Sequence, residues 1–109
     1  MKLPETFLEN MKELLGGEYS AWLASYEESP RQGLRINTGK LTAEAWKSIS
    51  PYGTDPVLWT GNGYYLGDQD RPARDPYYYA GLYYLQEPSA MAPAALLPVE
   101  PGDRVLDLC

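Results

Sequence analysis

The chain has 109 residues, a net charge of −6, one cysteine and no histidine. A chain of this length buries roughly two thirds of the surface its unfolded form exposes, which supports one modest core and no second domain. The 44% hydrophobic content excludes a compositionally disordered chain. The acidic balance argues against a freestanding nucleic-acid binder built on a basic surface. A single cysteine at position 109 excludes a disulfide framework or a cysteine–histidine metal cluster, and fits a reducing, cytoplasmic setting. No segment approaches the ~20 apolar residues of a membrane helix. The start, Met1-Lys2-Leu3-Pro4-Glu5, turns acidic too early for a signal peptide and reads as a true protein start.

Leu3, Phe7, Leu8, Met11, Leu14 and Leu15 fall at helical spacing and form one apolar stripe. Pro4 suits the first turn, and Gly16-Gly17 ends the helix. Tyr19, Trp22, Leu23 and Tyr26 repeat the pattern between Glu18 and Glu28, so the first segment predicts a helical hairpin. Leu34-Arg35-Ile36-Asn37 alternates apolar and polar residues, as a half-exposed strand does. Thr42 is a good N-cap for a helix from Ala43 to about Ile49, with Leu41 and Trp46 placed as a hydrophobic staple.

Val57-Leu58-Trp59 and Tyr64-Tyr65-Leu66 are short strand candidates around the turn Gly61-Asn62-Gly63. Asp68 to Asp75 reads as an exposed loop, Pro76 to Gly81 as one helical turn, and Tyr83-Tyr84-Leu85 as a strand. Ser89 is placed to cap a helix through Leu97, with Pro93 in its first turn. After the turn at Pro98, Pro101 and Gly102, Arg104 to Cys109 reads as a buried strand. The order predicts an α+β domain: an N-terminal helical hairpin, then a small, mostly antiparallel sheet with short helices.

Two stretches carry a resemblance. One is Tyr83-Tyr84-Leu85-Gln86-Glu87-Pro88-Ser89-Ala90-Met91-Ala92-Pro93-Ala94, and the other is Pro101-Gly102-Asp103-Arg104-Val105-Leu106-Asp107-Leu108-Cys109. At this spacing they resemble the Nop/Sun (RsmF-like) RNA 5-methylcytosine methyltransferases. Leu3-Pro4, Phe7, Gly17-Glu18-Tyr19, Gly33 to Thr38, Pro56-Val57, Trp59 and Gly63-Tyr64-Tyr65 fall in order where that family has similar words, so the resemblance spans essentially the whole chain.

The resemblance implies a parent enzyme that transfers a methyl group from S-adenosylmethionine to carbon 5 of a cytosine in rRNA or tRNA. One cysteine thiolate adds to the base and a second helps to release the product, which is covalent catalysis on a flipped base. Both family cysteines lie downstream of the first strand of the Rossmann-like domain, so no catalytic residue carries over to this chain. The family pattern continues past Cys109 into Ala-Ala-Pro-Gly-Gly-Lys, the turn that approaches the cofactor. The expected division is an accessory, RNA-placing domain over 1–100 and the start of the methyltransferase domain over 101–109. The final strand is then an orphan, expected to be frayed or to pair with a second copy through 105–108. Alone, the chain is expected to be inactive and to bind the cofactor weakly.

The cofactor-site candidates follow from the same match, and the RNA-facing ones from charge and aromatic clustering. Cys109, Gln86 and Glu87 are partial cofactor-site candidates; the alternative for Glu87 and Ser89 is a helix-capping role. Asp107 stands either as support for the cofactor turn or as a polar residue on the orphan strand. Arg31, Arg35, Lys40 and Lys47 are the most basic stretch, read either as phosphate contacts or as a solvated face; Arg71 and Arg74 would add to it, but adjacent aspartates nearly cancel them. Seven of the ten tyrosines lie between 64 and 84, either as a base-stacking surface or as the rim of the core. Asp75 stands where the family often has a histidine, which removes a cation from that position. The competing function is a small adaptor that binds RNA or protein without catalysis. A third reading is a folding unit that docks on the catalytic domain.

Overall fold

The computed structural model describes residues 3–108, which form two compact units divided after Pro30. The first is the helical hairpin. Helix α1 spans Glu5–Leu15 and helix α2 spans Tyr19–Ala24, joined by a 3-10 turn at Gly16–Glu18. Gly16 takes a φ of 52°, a conformation that costs a glycine little, and its amide donates to the Lys12 carbonyl. Trp22 is the centre of this unit. Its ring lies 5.7 Å from Phe7, 5.6 Å from Tyr19 and 5.1 Å from Tyr26. Helix α2 is shorter than the pattern from Glu18 to Glu28 predicts, because the chain tightens into a 3-10 turn at Ser25–Glu27.

The second unit is built on a three-stranded antiparallel sheet. Strand β1 (Gln32–Ile36) is central, flanked by β2 (Gly63–Leu66) and β3 (Tyr83–Leu85), in the order β2-β1-β3. Strand β1 starts two residues before the predicted Leu34, because Gln32 still pairs with Leu66 and Gly33 with Tyr65. The register sets Leu34 beside Tyr64 and Leu85, and Ile36 beside Tyr83. These side chains share one face, since successive residues of a strand alternate. Trp46, on helix α3 (Ala43–Ile49), closes this face; its ring is 5.3 Å from Tyr83 and fully buried. Thr42 caps α3 as predicted, its hydroxyl oxygen accepting from the Ala45 amide at 3.1 Å.

The opposite face has its own packing. Gly33 and Gly63 lie on it, and their missing side chains leave room for Met91, which is fully buried. A Cβ at Gly63 would stand 2.6 Å from the Met91 sulfur, and one at Gly33 would stand 3.1 Å from its methyl carbon. Val57 is also fully buried and touches the same glycine position.

The segment Val57–Trp59 is not a strand, contrary to the expectation. Pro56 makes a single bridge to Tyr64; the chain then turns, with the Thr60 amide donating to the Val57 carbonyl and Leu58 left exposed. The glycine turn at 61–63 therefore connects a bend, not a strand, to β2.

The predicted turn at 76–81 is helix α4 (Pro76–Tyr79), capped by Asp75. The Asp75 carboxylate accepts from the Tyr77 amide and from the Tyr52 hydroxyl, both at 2.8 Å. Helix α5 spans Ala92–Leu96 after a 3-10 turn at Ser89–Met91. Ser89 does not cap it; its hydroxyl donates to the Glu87 carboxylate, which also accepts from the Ala90 amide. Residues 104–108 carry no regular secondary structure, and Val105, Leu106 and Leu108 are exposed. A parallel-type apolar strand needs neighbours on both sides, and the described residues supply none. Asp107 makes an interaction within the structure.

Candidate functional site

The strand ends that meet at one end of the sheet frame a shallow cleft. These are the start of β1 and the ends of β2 and β3, brought together by the antiparallel register. Leu66, Leu85 and the buried Pro72 form its apolar floor. Arg31, Gln32 and Gln86 form its polar rim, around a volume of about 300 Å³. A second lobe of about 400 Å³ shares Gln32, Pro72 and Leu85 and is bordered by Asp70, Arg71 and Arg74.

Local hydrogen bonds hold these walls. The Tyr83 hydroxyl, rooted in the core, donates to the Pro72 carbonyl at 2.8 Å and ties the 72–74 turn to the sheet. The Asp70 carboxylate accepts from the Gly67 amide at 2.7 Å, and Arg71 donates to the carbonyls of Asp68 and Asp70. The Gln86 amide N–H donates to the Gly33 carbonyl at 3.1 Å, which extends the β1–β3 pairing into the rim. Trp59 then fixes the chain two residues further on, its indole N–H donating to the Pro88 carbonyl at 2.8 Å. Gln86 and Glu87 are thus held between the sheet edge and the Met91 anchor.

The charges at the cleft are not equivalent. Glu87 is held below the usual carboxylate range, first by the Ser89 hydroxyl and then by backbone amides. That carboxylate and the one on Asp70 are committed to protein donors. Among the described residues, the Arg31 and Arg74 guanidinium groups have no hydrogen-bond or ion-pair partner. The cleft therefore offers two uncommitted cations beside an apolar floor.

The sequence candidates separate in space. Gln86, Glu87 and Arg31 meet at the cleft. Arg35 lies mid-strand opposite Tyr84, with its Nε donating to Asn62 at 3.1 Å. Lys40 follows the other end of β1 and donates to the Ala80 carbonyl at 2.6 Å. Lys47 stands in the last turn of α3. The four cations are spread along β1 and α3, with Arg31 and Lys40 beyond opposite ends of β1. Cys109 lies outside the described residues. Of the clustered tyrosines, Tyr64 and Tyr83 are buried in the core and Tyr77 packs against it, whereas Tyr79 and Tyr84 are 77% and 68% exposed. Three of the seven are thus core or core rim, and Tyr78, Tyr79 and Tyr84 are exposed.

Sequence reasoning missed Gln32 and discounted Arg74. No local pattern marks Gln32, because its place depends on pairing with Leu66. Arg74 reads as cancelled by neighbouring aspartates, yet Asp70 is spent on Gly67, and Asp75 on Tyr52 and Tyr77. Among the described residues no group of three or more potential metal ligands comes together. No described helix is long and apolar enough to cross a membrane.

A three-stranded sheet of this order with its flanking short helices recurs in a solved structure. A crystal structure of a methyltransferase homologue from Pyrococcus horikoshii superposes with a TM-score of 0.76 over 92% of this chain and 34% of that one, at 23% identity, which is a likeness of fold. Residues 3–88 match the family model for the N-terminal domain of the 16S rRNA methyltransferase RsmF, and the chain belongs to that family. Curated relatives include the ribosomal RNA small subunit methyltransferase F of Enterobacter sp., 32% identical over 96% of this chain and 24% of its own length. The same-named proteins of Cronobacter sakazakii and Pectobacterium carotovorum are 32% and 30% identical, over 97% and 87% of this chain. The chain spans about a quarter of the length of these relatives.

Proposed function

We propose that this chain is the RNA-placing N-terminal part of an S-adenosylmethionine-dependent rRNA cytosine-C5 methyltransferase. The observation that carries the reading is the family match over residues 3–88, together with a cleft that carries two uncommitted guanidinium groups, Arg31 and Arg74. On this reading residues 1–100 are the accessory domain and 101–109 lead into the cofactor-binding domain. Arg31, Arg35, Lys40 and Lys47 contribute positive charge toward the RNA backbone. The protein works in the cytoplasm, where its rRNA substrate is made.

Gln86, Glu87 and Cys109 stand, on this reading, at the edge of the cofactor site. The residues at hand do not amount to a site for the cofactor by themselves. The Glu87 carboxylate already holds Ser89 and Ala90, and Gln86 already donates to the Ala90 carbonyl. No catalytic step is therefore assigned to this chain, and it is expected to be inactive alone. The exposed residues 105–108 pair with a neighbouring strand in the longer protein, or with a second copy at high concentration.

Two assays test the reading. Radiolabelled methyl transfer from S-adenosylmethionine to 16S rRNA should be absent with the 109-residue chain, and calorimetry should detect no micromolar cofactor binding. Methyl transfer by the chain alone would overturn the assignment. The adaptor reading is favoured instead if a longer protein containing this chain binds rRNA but transfers no methyl group.

A further inference from the structure

We propose that the cleft at the strand ends receives one unstacked nucleotide of single-stranded RNA. The proposal rests on the RNA-placing reading and adds a site, an orientation and a strand preference to it.

Shape comes first. Small-ligand sites usually have volumes of roughly 300–1,000 Å³, with an apolar lining and a few polar groups that fix orientation. The first lobe holds about 300 Å³ and the adjoining lobe about 400 Å³. A concave lobe of that size suits a base turned out of its stack, since sequence-bearing RNA contacts are made mostly to splayed single strands. A duplex, whose base faces are covered by stacking, has no part that enters it.

Chemistry gives the orientation. A base has two apolar faces and a polar edge. Leu66, Leu85 and Pro72 offer the apolar floor, and Gln32 at the rim offers an amide that both donates and accepts. Arg31 borders the first lobe and Arg74 the second, so each lobe carries one uncommitted cation next to the shared Pro72 and Leu85. A nucleotide with its base over Leu85 would have its flanking phosphates toward these two guanidinium groups, which bind phosphate through paired N–H donors. Asp70 and Glu87 remain anions, but their oxygens are turned to backbone amides, and neither pairs with Arg31 or Arg74. Asp68 borders the second lobe and disfavours a second phosphate there, which limits the site to one nucleotide.

The walls are preorganised. Pro72 is fixed by Tyr83, and Gln86 by Gly33. Binding therefore orders few protein groups, and less of the contact energy is spent on ordering them.

The test uses the 109-residue chain, isotopically labelled, with a five-nucleotide single-stranded RNA, a duplex of the same length and inorganic phosphate as separate probes. Saturable amide shifts at Gln32, Gly33 and Gln86 with the single strand, and at least fivefold weaker shifts with the duplex, are expected. Arg31→Gln and Arg74→Gln should each weaken single-strand binding about threefold to tenfold. Arg104→Gln removes the same charge from outside the cleft and should leave binding within twofold. Single-strand binding that falls equally for all three variants would overturn the cleft while the RNA-placing reading stands. So would binding whose shifts lie elsewhere, or shifts reproduced by phosphate alone. No binding to any RNA would remove the RNA-placing reading, and the cleft with it.

Discussion

Met91→Ala tests the packing that holds Gln86 and Glu87 in place. The Met91 side chain is fully buried against Gly33 and Gly63. Truncating a buried methionine to alanine costs roughly 2–4 kcal/mol, from lost burial and the cavity left behind. At about 4 °C per kcal/mol for a chain of this size, the melting temperature should fall by about 8–16 °C. Gly63→Ala attacks the same contact from the sheet side, because its Cβ would stand 2.6 Å from both the Met91 sulfur and the Thr60 methyl. Overpacking of this kind costs about 1–3 kcal/mol. The two effects should not add. With Met91 already shortened, the new methyl meets open space on one side, and the double variant should be more stable than the sum by about 1 kcal/mol or more. Urea denaturation followed by tryptophan fluorescence reads all four states, since Trp59 is tied to the Pro88 carbonyl beside this contact. Additivity within about 0.5 kcal/mol, or a Met91→Ala cost below about 1 kcal/mol, would refute the packing argument.

Two further outcomes are expected. Thr42→Ala removes the oxygen that accepts the Ala45 amide and should lower stability by about 1 kcal/mol by urea denaturation, whereas Thr42→Ser should be nearly neutral. Burial raises the phenols of Tyr52, Tyr64 and Tyr83 above the ordinary tyrosine value, and for Tyr52 the Asp75 carboxylate adds to the effect. A raised folded value means that the folded state keeps its protons longer, so this stability is complete below about pH 10 and lost as the pH rises above it. Ultraviolet titration should show these phenolates appearing together with unfolding, and independent ionisation at ordinary pH would contradict the buried tyrosine core.

Local chemistry made much of the fold legible. The Thr42 cap, the Gly16 turn, the Pro76 helical turn and the apolar alternation of β1 each depend on neighbours within a few residues. Val57 misled because an apolar residue buried by a bend looks, in a short window, like one buried in a strand. Ser89 misled because its hydroxyl donates to the Glu87 carboxylate, which itself accepts from the Ala90 amide. The cleft was only half visible. Gln86 and Glu87 were marked by their family word and Arg31 by its charge, but their meeting depends on the pairing of strands some fifty residues apart in sequence. The likeness in sequence therefore named the family more readily than it located the surface that serves it.

The central claim is that these residues contact RNA through charged groups at the sheet end. A titration of the 109-residue chain with a single-stranded 16S rRNA segment at two salt concentrations tests it most directly. If Arg31 and Arg74 each neutralise one phosphate, the log–log slope should be about −1.4, a roughly sevenfold loss between about 50 and 200 mM salt. Binding that is absent at the lower salt, or that does not change between the two, would contradict the account.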